Sequence, residues 1–358
     1  MKKLILAITC STLLGLADEA ATFHTGKVEL KSAGQLAFAP HGVLLIGDSA
    51  AASILAIETG DSKATNGPLV NVKGINEKVA AMLGTSADQI LIQDAVVNPL
   101  SKNVYLSVSR GRGPEAVAMI LRVDSAGKIT ELSLANAKYA SVNLPDAPDA
   151  AKKDNRGQSP RMESITDLAY VNGKVVVAGL SNEEFSSSLR ALPYPFTSVG
   201  KAASVEIYHG SHGRFETNAP VRTFLPFEIK NEAFILAAYT CTPLVKIPVS
   251  ELKAGNKVKG VTIAELGNRN RPLDMIVYTK DGAQFILMAN SSRGVMKLPT
   301  ANLENYEGIT QPTEKKGVPY ETIATLKGVL QLDKFDDKNA MILVDDAGSL
   351  DLRAVPLP

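Results

Sequence analysis

Two of the four histidines in this 358-residue sequence fall three positions apart, in the run His209-Gly-Ser-His212-Gly-Arg-Phe-Glu216. Imidazole nitrogen and thiolate sulfur are both good ligands for zinc or copper. The two cysteines are Cys10 and Cys241. Cys10 lies in a leader expected to be removed, which leaves Cys241 as the sole thiol. His209, His212, Cys241 and Glu216 therefore form a candidate metal set. The competing reading is that the histidines bond the loop backbone while Cys241 packs as a small apolar side chain.

A second set of groups is charged or amide-bearing: Arg161, Glu163, Asn182, Glu183, Arg214, Arg269, Arg271, Asn290 and Arg293. Guanidinium forks match carboxylates and phosphates, so the set suits a small anionic ligand. Oxygen donors drawn from Glu163, Asn182, Asn290 and Asp345 suit Ca²⁺ or Zn²⁺ instead. A metal held there would polarise a carbonyl and activate water, the chemistry of a hydrolase. Mutual pairing in solvated loops is the plain alternative for all of these charges.

Other chemistries lack their residues. There is no Cys-x-x-Cys-His for covalent haem, no Gly-x-Ser-x-Gly elbow and no phosphate loop. Tryptophan is absent and no cysteines are vicinal, which argues against a pyrroloquinoline-quinone dehydrogenase. The missing tryptophan also weakens a sugar site built on large aromatic platforms. Net charge is +1, or −1 once a leader carrying Lys2 and Lys3 is removed. Neither value provides an electrostatic grip on nucleic acid or an anionic membrane.

What must position these groups is a repeat. An apolar strand, a small or polar turn and a second apolar strand recur six times. The pairs are Val43–Ser49 with Ser53–Ile57, Val104–Ser109 with Met119–Val123, and Val175–Ser181 with Ser188–Leu192. They continue as Phe234–Thr240 with Leu244–Pro248, Phe285–Asn290 with Gly294–Leu298, and Met341–Asp346 with Ser349–Arg353. The first strand of each pair is a continuous apolar run, as expected of a strand covered on both faces. A further strand candidate precedes each pair: Gln35–Ala39, Ile90–Val97, Ile165–Tyr170, Val221–Glu228, Leu273–Tyr278 and Val329–Phe335. Five pairs are followed by a fourth: Leu69–Lys73, Ile129–Leu134, Val205–Tyr208, Val261–Leu266 and Thr322–Leu326.

Six units of four strands predict an all-β, six-bladed β-propeller, with a seventh blade lacking a unit to build it. The last unit has no fourth strand of its own. Thr22–Leu30 is unassigned, so it is expected to pair with the C-terminal blade and close the ring, removing free edges. The extra length over a typical blade falls in a short helix at Asn76–Leu83 and in loops at Asp146–Gln158 and Pro299–Pro319.

The turns Gly47-Asp48-Ser49 and Ala289-Asn290-Ser291-Ser292-Arg293 resemble those ending the central strands of NHL and six-bladed lactonase-like propellers, the gluconolactonase type. The resemblance is architectural and implies the fold, not a function. In such a ring, loops joining the second and third strands open on the same face as loops joining one blade to the next. That rule places the candidate ligand and metal residues around one mouth of the central channel, with Cys241 on the turn of the blade that the histidine loop enters. Asp167 is expected to lock strands rather than act in catalysis.

Lys2 and Lys3, the apolar run Leu4–Leu16 and Gly15-Leu16-Ala17 have the form of a signal peptide cleaved after Ala17. Residues 18–358 would then be a single exported propeller, periplasmic or secreted. Its expected partner is a small molecule or an exported protein, with one divalent ion (Zn, Cu or Ca) as the candidate cofactor. The leading expectation is a binding propeller; a lactonase-type hydrolase and a structural adaptor for another exported enzyme are the alternatives.

Overall fold

The computed structural model describes residues 23–358 apart from 65, 66, 114 and 198, so the leader expected over residues 1–17 lies outside the described residues. The protein is a six-bladed β-propeller, with every blade built on an antiparallel sheet of at least four strands. Among the described residues, no helix is long and apolar enough to cross a membrane.

Four blades take their first four strands in chain order, although Lys257–Lys259 leaves blade IV to pair in blade III and Lys315–Gly317 leaves blade V to pair in blade IV. Blade II runs Ile90–Val97, Val104–Arg110, Val117–Val123 and Ile129–Glu131; blade III runs Asp167–Val171, Lys174–Leu180, Ser187–Pro193 and Ala203–His209. Blade IV uses Thr223–Ile229, Glu232–Ala238, Pro243–Pro248 and Val261–Leu266, and blade V uses Pro272–Lys280, Ala283–Asn290, Gly294–Pro299 and Glu321–Thr322. The second strands are buried because neighbouring sheets cover both faces, so Leu44, Leu45 and Ile46 in one blade and Ile342 and Leu343 in another are sealed from solvent. Burial of such a Leu or Ile side chain contributes about 1.5–3 kcal/mol. Several hairpins on the face away from the candidate sites turn through two residues at positive φ, as at Asn172-Gly173 and Asp281-Gly282. That conformation matches the right-handed twist of the strands it joins, and Gly carries it without strain.

Closure differs from the expectation. Residues 24–26 do not reach the last blade: His24–Gly26 pairs with Ala137–Asn143 as a fifth strand outside blade I. Blade I consists of Leu36–Ala39, Val43–Asp48, Ser53–Glu58 and Ala137–Asn143, and blade VI of Val329–Lys334, Asn339–Asp346, Ser349–Pro356 and Asn71–Val72. The Leu69–Lys73 segment read as the fourth strand of the first unit thus completes the sixth. The innermost strands meet in the circular order I, III, IV, V, VI, II. Blade II is therefore inserted, in sequence, between the third and fourth strands of blade I.

Two physical reasons favour this exchange. Ala137–Asn143 offers blade I five paired residues with Ser53–Ile57, against the three that His24–Gly26 pairs. Asn71–Val72 leads straight into helix α1 (Ile75–Leu83), which packs on Ser349–Pro356 and buries Ile75 and Val79 in the core shared by blades II and VI. Two crossing connections close the ring where a single terminal strand was expected.

Val72 is 2% exposed and packs among Met341, Leu343 and Leu352. Val72→Ala is expected to lower unfolding stability by about 2 kcal/mol, measured by chemical denaturation. A chain starting at Lys27 should lose less than half as much, because ring closure survives. A larger loss in the shortened chain would contradict this topology.

Candidate functional site

The innermost strands line a central cavity of about 710 Å³. Four of them carry an aspartate that lines this space: Asp94, Asp167, Asp274 and Asp333. Each carboxylate accepts the N–H of the residue after it and a second N–H from the next blade. Asp94 holds Ala95 and Leu36, Asp167 holds Leu168 and Phe224, Asp274 holds Met275 and Leu332, and Asp333 holds Lys334 and Val97, all at 2.7–2.9 Å. These clamps tie blade II to I, III to IV, V to VI and VI to II. Asp167 accordingly locks two blades, and the other three do the same.

Burial in the channel disfavours the charged form of these acids. It pushes Asp167 up to about 7, with the charge of Asp94 adding to the rise, and Asp333 up to about 6. Asp94 and Asp274 are raised by burial in the same way and by their neighbours' charges. The backbone donors work against the rise in all four.

At the end where these strands begin, the channel meets a polar recess of about 280 Å³ lined by Gln35, Gln93, Glu163, Thr166, Arg222, Arg271 and Gln331. Gln35, Arg222, Leu273 and Gln331 line both spaces, so the recess is the mouth of the channel. Arg222 Nη1 donates to Glu163 Oε1 at 2.6 Å and its Nε donates to Thr240 Oγ1 at 3.2 Å. The Arg271 guanidinium makes no hydrogen bond and no ion pair among the described residues. Burial and the like charge of Arg222 lower its pKa, against the pull of Glu163. Two guanidiniums thus share one carboxylate, and the mouth is left with an excess of positive charge.

On the same face, the fourth strand of blade III ends in a tight hairpin to Arg214–Glu216. Glu216 sits opposite Ile207, and its two oxygens are divided between the histidines: Oε2 lies 2.8 Å from His209 Nδ1 and Oε1 lies 2.7 Å from His212 Nδ1. The two rings lie against each other with centroids 3.9 Å apart. His209 is 2% exposed and its Nε2 has no hydrogen-bond partner among the described residues. Gly210 keeps the hairpin close to blade IV; a Cβ there would come within 2.9 Å of Glu265 Cγ and 3.0 Å of the Thr313 carbonyl oxygen. In its absence the Gly210 N–H reaches Glu265 Oε1 at 2.5 Å.

Cys241 stands across from this hairpin on the turn between Glu232–Ala238 and Pro243–Pro248. Its N–H donates to the Asn270 carbonyl at 2.7 Å. Cys241 and Thr242 both have positive φ, 64° and 57°, where the pairs Asn172-Gly173, Lys230-Asn231, Asp281-Gly282 and Ala347-Gly348 place asparagine or glycine second. One ring nitrogen from each histidine and the Cys241 sulfur lie within 4.8 Å of one another.

The remaining sequence candidates have other partners. Arg161 donates through Nε to the Pro148 carbonyl, Glu183 pairs with Lys201, and Arg293 donates to the Asn268 carbonyl. Arg214 is largely exposed beside Glu216, while Arg269 and Asn182 are exposed loop residues. Asn290 is buried within its own turn, bonded to Asn270, Met288 and Gly294. Asp345 caps its turn through the Gly348 N–H. Arg190, on the third strand of blade III, is buried against Asp146. With Glu163 engaged by Arg222, the oxygen-donor set proposed for a hydrolytic metal is divided among separate structural tasks.

Sequence reasoning passed over Arg222, which sits inside a strand candidate, and three of the four channel aspartates. The signal for the aspartates was present: a single aspartate recurs in the strands that open four of the repeats, where apolar residues otherwise prevail.

No family model matches the sequence, and no curated protein matches it. Among solved structures, it is similar to the soluble aldose sugar dehydrogenase of Escherichia coli in its apo form (13% identity, 94% of this chain and 100% of that chain, TM-score 0.34). A glucose dehydrogenase matches at 12% identity over 94% of this chain and 100% of that one, with a TM-score of 0.38. The PQQ-bound aldose sugar dehydrogenase of Streptomyces coelicolor matches at 10% over 94% and 98%, with a TM-score of 0.32. At such values the chemistry of those proteins is not carried over, and the class rests on the strand pairing itself: a six-bladed propeller with an open polar mouth.

The channel acids make a signed pH prediction. A carboxyl held near 7 in the folded chain and near 4 in the unfolded one stabilises the fold below about 4, and that contribution is lost as pH rises to about 7. Asp167→Asn removes the titration but leaves one backbone N–H without an acceptor. The variant should melt well below the parent near pH 4, and the gap should narrow steadily towards pH 7. A gap that widens over that range would refute the assignment.

Proposed function

We propose that this protein is an exported binding propeller whose channel mouth takes a small organic anion bearing a carboxylate or phosphate group. The observation that carries the reading is Arg271, an exposed residue lining the recess whose guanidinium makes no hydrogen bond or ion pair among the described residues and feels the same Glu163 carboxylate that Arg222 binds. Placing two like charges together in a partly desolvated recess costs stability. Such an arrangement is typical of a site completed by its ligand. A planar fork offers a carboxylate or phosphate two parallel hydrogen bonds, stronger than those to a neutral group. The charge order along the axis supports the same reading. Arginines stand at the opening and carboxyls below, so an anion is held at the mouth and only the neutral part of the ligand extends into the channel. Gln35, Gln93, Thr166 and Gln331 supply donors and acceptors for that part. Export is supported by the leader-like composition of residues 1–17.

The test is calorimetry against citrate, tartrate and inorganic phosphate, with melting curves in parallel. At least one of these anions is expected to bind, with affinity falling as salt increases. Arg271→Ala should weaken binding at least tenfold while leaving the ligand-free melting temperature unchanged or slightly higher, since it relieves repulsion with Arg222. Arg222→Ala should weaken binding and also lower the melting temperature, because it strands Glu163. Absence of binding by all three anions, or binding undiminished in Arg271→Ala, would exclude this reading.

A further inference from the structure

We infer that the hairpin of blade III and the turn of blade IV together form a binding site for one late transition-metal ion, zinc or copper, ligated by His209, His212 and Cys241. The site is independent of the anion recess and uses none of its residues.

The donor set is nitrogen, nitrogen and sulfur, which selects zinc and copper over calcium or magnesium. Glu216 occupies Nδ1 of both imidazoles and leaves the two Nε2 atoms as the free ring nitrogens. A carboxylate on the far nitrogen of a ligating histidine sets its tautomer, aims its ring and raises its basicity. Here a single carboxylate does so for two histidines at once. A buried imidazole nitrogen normally has a hydrogen-bond partner, and His209 Nε2 has none. A ligand at that nitrogen accounts for its isolation.

The spacing fits as well. Zn–N and Zn–S bonds at a tetrahedral angle place donor atoms about 3.3–3.6 Å apart. One ring nitrogen of each histidine and the Cys241 sulfur lie within 4.8 Å of one another. Closing the remaining ångström falls to His212, whose side chain is 43% exposed and can pivot about its bond to Glu216, whereas His209 is packed and the Cys241 backbone is pinned to the blade V loop. Three protein ligands leave a tetrahedral ion one open position, on the solvent side beside His212. Occupation links blade III to blade IV through their loops, in addition to the Asp167 clamp on the channel side.

The test uses full-length mature protein, stripped with a chelator and titrated with Co²⁺ as a spectroscopic probe, then with Zn²⁺ and Cu²⁺. One equivalent of Co²⁺ should bind with a near-ultraviolet thiolate-to-cobalt charge-transfer band, and one equivalent of Zn²⁺ or Cu²⁺ should displace it. Mg²⁺ and Ca²⁺ at the same concentration should not. Cys241→Ser should abolish the band, and His212→Ala should weaken binding at least 100-fold. Both changes are at residues that are not fully buried, so melting curves can confirm that the variants fold. Glu216→Gln should keep the band and weaken binding about 10–100-fold. Arg271→Ala should bind metal like the parent. No band at one equivalent, or stoichiometric binding that survives both Cys241→Ser and His212→Ala, would overturn the site.

Discussion

The structure depends on a clamp repeated around its axis: an aspartate on an innermost strand that accepts one N–H from its own strand and one from the next blade. Innermost strands of neighbouring propeller blades do not share a ladder, so their facing N–H groups need acceptors from elsewhere. A side-chain carboxylate supplies one at 2.7–2.9 Å in four of the six junctions. The junctions of blades I with III and IV with V lack this clamp. At the former, Ser49 Oγ donates to the Ile165 carbonyl and Ser164 Oγ to the Ser49 carbonyl. At the latter, the Cys241 N–H donates to the Asn270 carbonyl and Thr242 Oγ1 to the Gly267 carbonyl. Channel-side carboxylates and loop-side hydroxyls and amides thus divide the work of holding the blades in register.

That division has an electrostatic consequence. Acids gathered around a narrow, partly desolvated channel resist full ionisation, so the axis is held together by groups whose charge is itself unfavourable. The mouth carries the opposite sign. Arg222 and Arg271 converge there from blades IV and V, near enough to the Glu163 carboxylate to share it and not enough to be neutralised. Guanidiniums at the mouth and carboxyls along the channel thus give one axis two chemically distinct stretches, although the strands that build it are repeats of one unit.

The histidine hairpin follows the same logic on a smaller scale. Glycine at 210 lets the loop lie against blade IV closely enough for Glu265 to take its N–H. Glu216 then aligns two rings, and a turn with cysteine in a left-handed conformation faces them. Each of these features has a local cost, and all converge on one point. The site lies at the junction of two blades, so it forms only when the ring is assembled.

The sequence alone determined the repeat, the blade count, the burial of the second strands and the face on which the polar loops open. Those properties follow from periodicity and chain direction, which are local. It also marked His209, His212, Glu216 and Cys241, because unusual side chains are conspicuous against an ordinary background. The tertiary structure decided what depends on distance through space. It decided that Ala137–Asn143 outcompetes His24–Gly26 for the edge of blade I, and that Asn71–Val72 completes the blade at the other end of the chain. It also decided that Asn290 is taken up by its own turn and by Asn270, while the Arg271 guanidinium makes no hydrogen bond or ion pair among the described residues. Strand exchange and ion pairing are contests among segments far apart in sequence, and only the folded chain shows which partner wins.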